Sequence, residues 1–322
     1  MNVPSAPPPP RQAPMAINRV EWTALPHKSR LAIEDQLGSP VVAAETQRGG
    51  FSPGMAAIVR CADGSRYFIK AVNPDLNPVS PRLYRDEALF SAALPNGMPV
   101  PRLRHVYDDG DWIALVFDAI NGRMPELPWR PAEVQRLMET IQSLSTTPLA
   151  GELTGLPSVP DRLQHSFGAY RRLANTPQNL TVWERGNIDR LAAAAESALE
   201  PMAGDSLVHL DLRADNIVLA HDGGTYIVDW SWASSGASWL DKVCFLVNVA
   251  TYGGDAERFL RGDQFLASVP SDHVTAFLIG LCGMWTEAVA APPPPGLPAL
   301  RDFQRLERDA TLAWIRSRTG WN

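Results

Sequence analysis

Apolar residues recur along this chain in two periods, and the switch between them predicts where helices give way to strands. Residues 26–37 set Ile33 and Leu37 one turn apart on a common face, with Gly38 as a stop, so a helix is expected there. The next apolar runs, 41–44, 55–61 and 67–72, have strand character, and the last two are joined by Asp63-Gly64, a hairpin turn. Ser80-Pro81 supplies an N-cap and a first-turn proline for a helix through about residue 94. On it Leu83, Glu87, Phe90 and Leu94 fall on one face, which sets Glu87 as a charge within an apolar stripe while Asp86 points elsewhere. Two more strands, 103–107 and 112–117, follow, and periodicity is lost between Phe117 and Gly122. From Trp129 onward the period is helical, over 131–144, 161–173, 182–199, 238–251, 271–291 and 298–318. The exception is a pair of short β-branched runs, 217–219 and 225–228, whose link Asp222-Gly223-Gly224 is strong hairpin chemistry.

The pattern predicts an α+β chain: a first part, 16–117, of about five antiparallel strands and a helix, a connector at 118–122, and a mainly helical part, 123–322. Residues 1–15 carry Pro7 to Pro10 with no apolar signal core and read as a disordered polyproline-like arm. The prolines at 292–295 read as a rigid connector. Composition is that of an ordinary globular enzyme, with 45% hydrophobic and 20% charged residues. The formal charge of −6 argues against nucleic acid as a partner, because phosphate backbones need a basic surface. Three widely spaced cysteines, Cys61, Cys244 and Cys282, fit no zinc spacing and no disulfide framework, so buried free thiols in the cytoplasm are expected. The longest apolar run, 274–285, ends at Thr286-Glu287, too short to cross a bilayer, so no membrane partner is expected. Nothing in the sequence sets the oligomeric state, monomer or dimer.

The candidate chemistry lies between Val208 and Trp230. The hairpin brings its outer ends together, so Asp211 and Asn216 on the preceding loop meet Asp229 beyond the second strand. Magnesium takes hard oxygen ligands from one or two carboxylates plus the phosphates of a nucleotide, a role that suits Asn216 and Asp229. Asp211 beside them could orient a hydroxyl and accept its proton. Lys70, inside an apolar strand, must either reach water or meet an anion, and Glu87 is the available partner. The turn 48–54, with Gly49, Gly50, Phe51, Ser52, Pro53 and Gly54, could bring backbone amides to phosphate oxygens; an ordinary glycine turn is the alternative.

The sequence His209-x-Asp211, then Asn216, a hairpin and Asp229-Trp230 resembles the aminoglycoside phosphotransferase family and its small-molecule kinase relatives of the protein-kinase-like fold. The chain departs from kinase patterns in three places. It lacks Gly-x-Gly-x-x-Gly, has Asp-Trp for Asp-Phe-Gly, and reads Gly236-Ala-Ser-Trp-Leu-Asp241 without the usual first aspartate and proline. The resemblance implies a bilobal fold in which Lys70, set by Glu87, holds the α- and β-phosphates of ATP or GTP. Gly50, Phe51, Ser52 and Gly54 would cover the phosphates, and the backbone from Phe117 and Asp118 to Ile120 would meet the base. Asn216 and Asp229 would hold Mg2+, and Asp211 would act as base. Arg213 would meet the γ-phosphate or neutralise Asp211. His209 and Asp241 are expected as structural braces. Helices of the second part would wall an acceptor pocket, with Tyr170, Trp232, Trp239 and the Trp321-Asn322 tail as candidate wall residues. Too few residues separate Asp229 from Trp239 for a peptide platform, so the implied acceptor is a small hydroxylated molecule. An antibiotic, modified for self-resistance, is one such acceptor; a sugar or amino alcohol metabolite is another. A nucleotide-binding pseudokinase is the alternative, although retention of the lysine, metal ligands and base speaks against it.

Overall fold

The protein is described by a computed structural model that covers residues 19–47 and 49–322. The arm expected at 1–15 and Arg48 lie outside the described residues. The first helix, α1 (His27–Leu37), stops at Gly38, whose φ of 70° is open to glycine. Then come β1 (Val41–Thr46), β2 (Met55–Cys61), β3 (Arg66–Val72), α2 (Ser80–Ala93), β4 (Leu103–Asp108) and β5 (Ile113–Asp118). The strands form one antiparallel sheet in the order β1-β2-β3-β5-β4. Alternation along the strands gives the sheet two apolar faces. Ile69, Ala71, Val59 and Val116 pack with Ile33 and Leu37 of α1, while Val72, Leu115 and Phe117 pack with Tyr84 of α2. Lys70 shares the parity of Phe68 and Val72, and so faces α2. The stripe of α2 is centred one position away from the expected one: Tyr84, Glu87 and Phe90 are buried, and Leu83 and Leu94 are half-buried. Glu87 keeps its place in it.

The second lobe is entered through β6 (Gly122–Arg123) and continues with α3 (Pro131–Ser145), α4 (Val159–Phe167), α5 (Ala169–Leu173), α6 (Val182–Gly186) and α7 (Ile188–Ser197). After β7 (Ser206–Val208) come the hairpin β8 (Ile217–Ala220) and β9 (Thr225–Ile227), the short β10 (Ser234–Gly236), and the helices α8 (Leu240–Thr251), α9 (Ala256–Gly262), α10 (Ser271–Val289) and α11 (Leu300–Thr319). The connector is thus partly ordered as β6, which pairs with β8. Two expected helices are each broken. The 161–173 segment divides at Gly168, and 182–199 divides at Asn187, whose side chain donates to the carbonyls of Trp183 and Asn322 and competes with the helical ladder. Helix α10 is buried nearly all round. At Gly280 and Gly283 the rings of Phe167 and Tyr170 lie where a Cβ would stand, 2.2 and 2.8 Å away, which draws α4 and α5 onto it.

The proline connector reaches across to the first lobe. Asn77 Nδ2 donates to the carbonyl of Pro295 over 2.9 Å. Gly296, at φ 74°, lies so close that a Cβ there would stand 2.7 Å from Pro53 Cβ. No helix among the described residues is long and apolar enough to cross a membrane.

Candidate active site

Between β7 and β8 the chain makes a loop whose shape is imposed by α8. Asp241, in the first turn of that helix, accepts from the backbone N–H of His209 over 2.7 Å and of Leu210 over 2.9 Å. One turn-pair later, Asn248 accepts from the N–H of Ala214 over 3.2 Å. Leu210 sits at φ 64°, a left-handed conformation costly for a leucine, and the double clamp of Asp241 offsets that strain. His209 is fully buried, and burial lowers its pKa. Its Nδ1 accepts from Asp211 N over 3.2 Å, so its Nε2 carries the proton and donates to the Val228 carbonyl over 2.9 Å. The imidazole thereby staples the loop to the chain leaving the hairpin, which delivers Asp229 beside it. Asp241→Ala leaves two buried N–H groups without an acceptor, and we expect a loss of about 3 kcal/mol of stability, read as a lower denaturation midpoint with unchanged slope.

Side chains from both lobes converge at this point. Lys70 is ion-paired with Glu87 and lies 3.4 Å from Asp229 Oδ1. Burial works to lower the Lys70 pKa, but Asp229 and Glu87 outweigh it and hold the ammonium above its ordinary value. Burial likewise works to raise Asp229, yet Lys70, and a hydrogen bond of 3.0 Å from Ser231 Oγ, keep its carboxyl below the usual range. Asp211 is pushed up to about 6 by burial, against the pull of Arg213, whose Nη1 donates to it over 2.5 Å. Asn216 Nδ2 donates to both the carbonyl and the carboxylate of Asp211, over 2.8 and 3.0 Å. That fixes the amide's orientation and leaves its Oδ1 for a cation, as an oxygen-only, partly protein-ligated divalent site requires. No cluster of three or more His, Cys, Asp or Glu among the described residues could hold a metal by protein ligands alone.

Two cavities meet here. The first, about 310 Å³, is lined by Gly50, Phe51, Ser52, Lys70, Glu87, Phe117, Asp118, Ile120, Asn216 and Asp229. The second, about 520 Å³, is lined by Asp211 and Arg213, with Asp229, Phe51, Ser52 and Tyr84 shared between the two. Asp229 is therefore the carboxylate at the junction. Gly54 lines neither cavity: a Cβ there would stand 2.0 Å from the Ala71 carbonyl oxygen, so this glycine serves the close approach of the loop to β3. We expect Gly54→Ala to cost about 2 kcal/mol through overpacking and to displace the loop, raising the KM for the ligand of the first cavity. Of the aromatic residues expected as walls, Trp232 lines the second cavity. Tyr170 does not, being fully buried and bonded to Glu184 and Cys282. Trp239 packs edge-on against Phe277, and Trp321 stacks on Trp183. The cysteines are free; Cys61 and Cys282 are buried, whereas Cys244 is half-buried on the wall of the second cavity.

Residues 49–271 match the family described as the phosphotransferase enzyme family. The chain belongs to that family. As the resemblance of its motifs implied, it is a phosphotransferase with the protein-kinase-like bilobal fold. Solved structures share that fold at low identity. The choline kinase LicA from Streptococcus pneumoniae superposes with a TM-score of 0.60 at 14% identity, covering 89% of this chain and 98% of that one, and has also been solved with AMP. An aminoglycoside phosphotransferase from Alicyclobacillus acidocaldarius gives 0.55 at 16%, covering 87% and 94%, and a Plasmodium vivax ethanolamine kinase 0.56 at 12%, covering 93% and 87%. No curated protein matches the chain significantly.

The candidate site also contains residues that the sequence does not single out. Arg19 donates to the carbonyl of Ser52 over 2.5 Å and to that of Gly49, pinning the glycine loop above the first cavity. It precedes every periodic element, so no local signal marks it. Asp215 receives Arg213 through two hydrogen bonds of 3.1 and 3.0 Å. Its place next to Asn216 was a signal available in the sequence. Arg213 also lies 5.4 Å from the rings of both Phe51 and Phe303, joining the glycine loop to α11. The N–H of Asp118 is already bonded to the Arg102 carbonyl, and its carboxylate to Arg104. Backbone groups for a base would therefore come from its carbonyl and from the residues after it.

Proposed function

We propose that this phosphotransferase moves the γ-phosphoryl group of ATP or GTP to a hydroxyl of a small molecule, with the nucleotide in the first cavity and the acceptor in the second. One observation carries the reading: Asp229 stands at the junction of the two cavities, with Lys70 and Asn216 on one side and Asp211 on the other. Lys70, kept cationic by Glu87 and Asp229, pairs with the α- and β-phosphates. Asn216 Oδ1 and Asp229 hold a Mg2+ ion, which when bound neutralises charge on the phosphate oxygens. Gly50, Phe51 and Ser52 lie over the phosphates. Asp211 orients the acceptor hydroxyl and takes its proton as the new O–P bond forms and the bond to the β-phosphate oxygen breaks. Arg213 balances the charge of Asp211 and faces the arriving phosphoryl group. Main-chain groups between Asp118 and Ile120 meet the base.

The same scheme serves an antibiotic or a metabolite as acceptor, and a nucleotide donor fits a cytoplasmic enzyme. A purely nucleotide-binding regulator has no use for a base facing a second cavity. The test is incubation with Mg2+ and ATP or GTP against a panel of hydroxylated antibiotics, sugars and amino alcohols, with products read by mass spectrometry. Phosphorylated product that disappears with chelator is expected. Tight Mg2+-nucleotide binding without phosphate on any alcohol, and without hydrolysis, would favour the regulator.

A further inference from the structure

The second cavity has unusual walls for a site that handles a polar reaction. Leu83, Val247, Leu281, Trp285, Leu297 and Leu300 line it, drawn from α2, α8, α10, α11 and the proline connector. Its charged lining consists of Arg162, Asp211, Arg213, Asp229 and Glu307. Four of these have partners. Asp211 and Asp229 are engaged with Arg213 and Lys70, and Arg213 is shared between Asp211 and Asp215. Arg162 donates to the Ala233 carbonyl over 3.0 Å and lies over the rings of Trp232 and Phe90.

Glu307 is different. It projects from α11 one turn after Phe303, is 6% exposed, and forms no ion pair or side-chain hydrogen bond among the described residues. A buried carboxylate without a partner is costly, so such a group either takes up a proton or meets a cation. Burial pushes Glu307 up to about 8, with the Arg213 guanidinium pulling the other way. Arg213 turns three of its five N–H groups to Asp211 and Asp215 and forms no hydrogen bond to Glu307.

Resting on the reading of this cavity as the acceptor site, we propose that Glu307 binds a protonated amine of the acceptor, and that the acceptor is a mainly apolar alcohol with a single basic nitrogen. One free carboxyl matches one ammonium; further ammonium groups would find neutral side chains such as Ser166 and Gln304 and no second carboxylate without a cationic partner. This sets the substrate class apart from sugars bearing several amines. The hydroxyl of such a molecule is presented to Asp211 while its nitrogen is held at Glu307 and its apolar body fills the space between α2 and α10.

The experiment uses the full chain with N-alkyl aryl amino alcohols, their carbon isosteres lacking the nitrogen, and polyamino sugars as probes. Binding is measured by calorimetry with Mg2+ and a non-hydrolysable nucleotide, and transfer separately by mass spectrometry with ATP and GTP. Amine-bearing alcohols are expected to bind roughly ten- to hundred-fold more tightly than their isosteres, the worth of a charged hydrogen bond. Glu307→Gln should erase that preference without lowering the thermal midpoint, because no ion pair or hydrogen bond of Glu307 is lost with it; a purely structural glutamate would instead lose stability and keep the preference. Equal binding of amine and isostere by the wild-type chain, no binding of either, tighter binding of polyamino sugars, or an amine preference that survives Glu307→Gln each overturns the proposal. Amine-selective binding without transfer supports Glu307 while sinking the kinase reading of the cavity, and transfer without amine selectivity does the reverse.

Discussion

Replacing Asp211 with alanine is expected to lower the rate of phosphoryl transfer by roughly 10³-fold, the scale of a lost general base, while Mg2+-nucleotide affinity changes little. The asymmetry follows from position. Asp211 lines the second cavity and not the first, so the phosphates do not meet it in the ground state. The loop should survive its loss. Asn216 Nδ2 keeps the Asp211 carbonyl as acceptor, Arg213 keeps Asp215, and Asp241 still clamps the two preceding N–H groups. Single-turnover rates and nucleotide titrations on one preparation separate the two quantities. Turnover equal to wild type would remove Asp211 from the mechanism; loss of nucleotide affinity in step with rate would mean that the loop had collapsed.

The second large effect is expected at Asp229, and there binding itself should fail. Asp229→Asn and Asp229→Ala both remove the carboxylate that faces Lys70 and both cavities, so Mg2+-dependent nucleotide affinity should fall by roughly 100-fold or more, as charge-assisted contacts of about 3 kcal/mol imply. The two variants should differ in stability. Asp229 has φ 67°, which asparagine tolerates and alanine does not, so alanine should cost about 1–2 kcal/mol more. Nucleotide titrations at several Mg2+ concentrations, with melting curves alongside, check both statements. An unchanged Mg2+ dependence in Asp229→Asn would mean that the cation is held elsewhere.

Much of this site could be read from spacing, because its central contacts are made by regular elements. Period two along β3 puts Lys70 on the face of Phe68 and Val72, and the helical period puts Glu87 on the buried side of α2, so the pair follows once α2 is laid on that face. The Asp222-Gly223-Gly224 turn likewise commits Asp229 to the neighbourhood of Asn216. What could not be read depends on distance in sequence or on context. Arg19 acts through an irregular stretch upstream of α1. Glu307 looks in sequence like any polar residue of an amphipathic helix, and becomes unusual when the cavity beside it is known. Gly54 reads as phosphate cover in sequence because glycine in a turn has several uses, and close backbone packing is one of them. Tyr170 reads equally well as a pocket wall, because a large aromatic in sequence carries no sign of its surroundings; Gly283 opposite it supplies the socket that buries it.

The seam between the proline connector and the first lobe has a mechanical consequence. Pro53, against which Gly296 is wedged, adjoins Ser52 of the glycine loop, while Pro294 and Leu297 on either side of the wedge roof the second cavity. A guest large enough to lift that roof would tug on the loop and loosen its cover over the first cavity. By thermodynamic reciprocity, a ligand that draws the loop down onto the first cavity would narrow the girth of guest that can be admitted to the second.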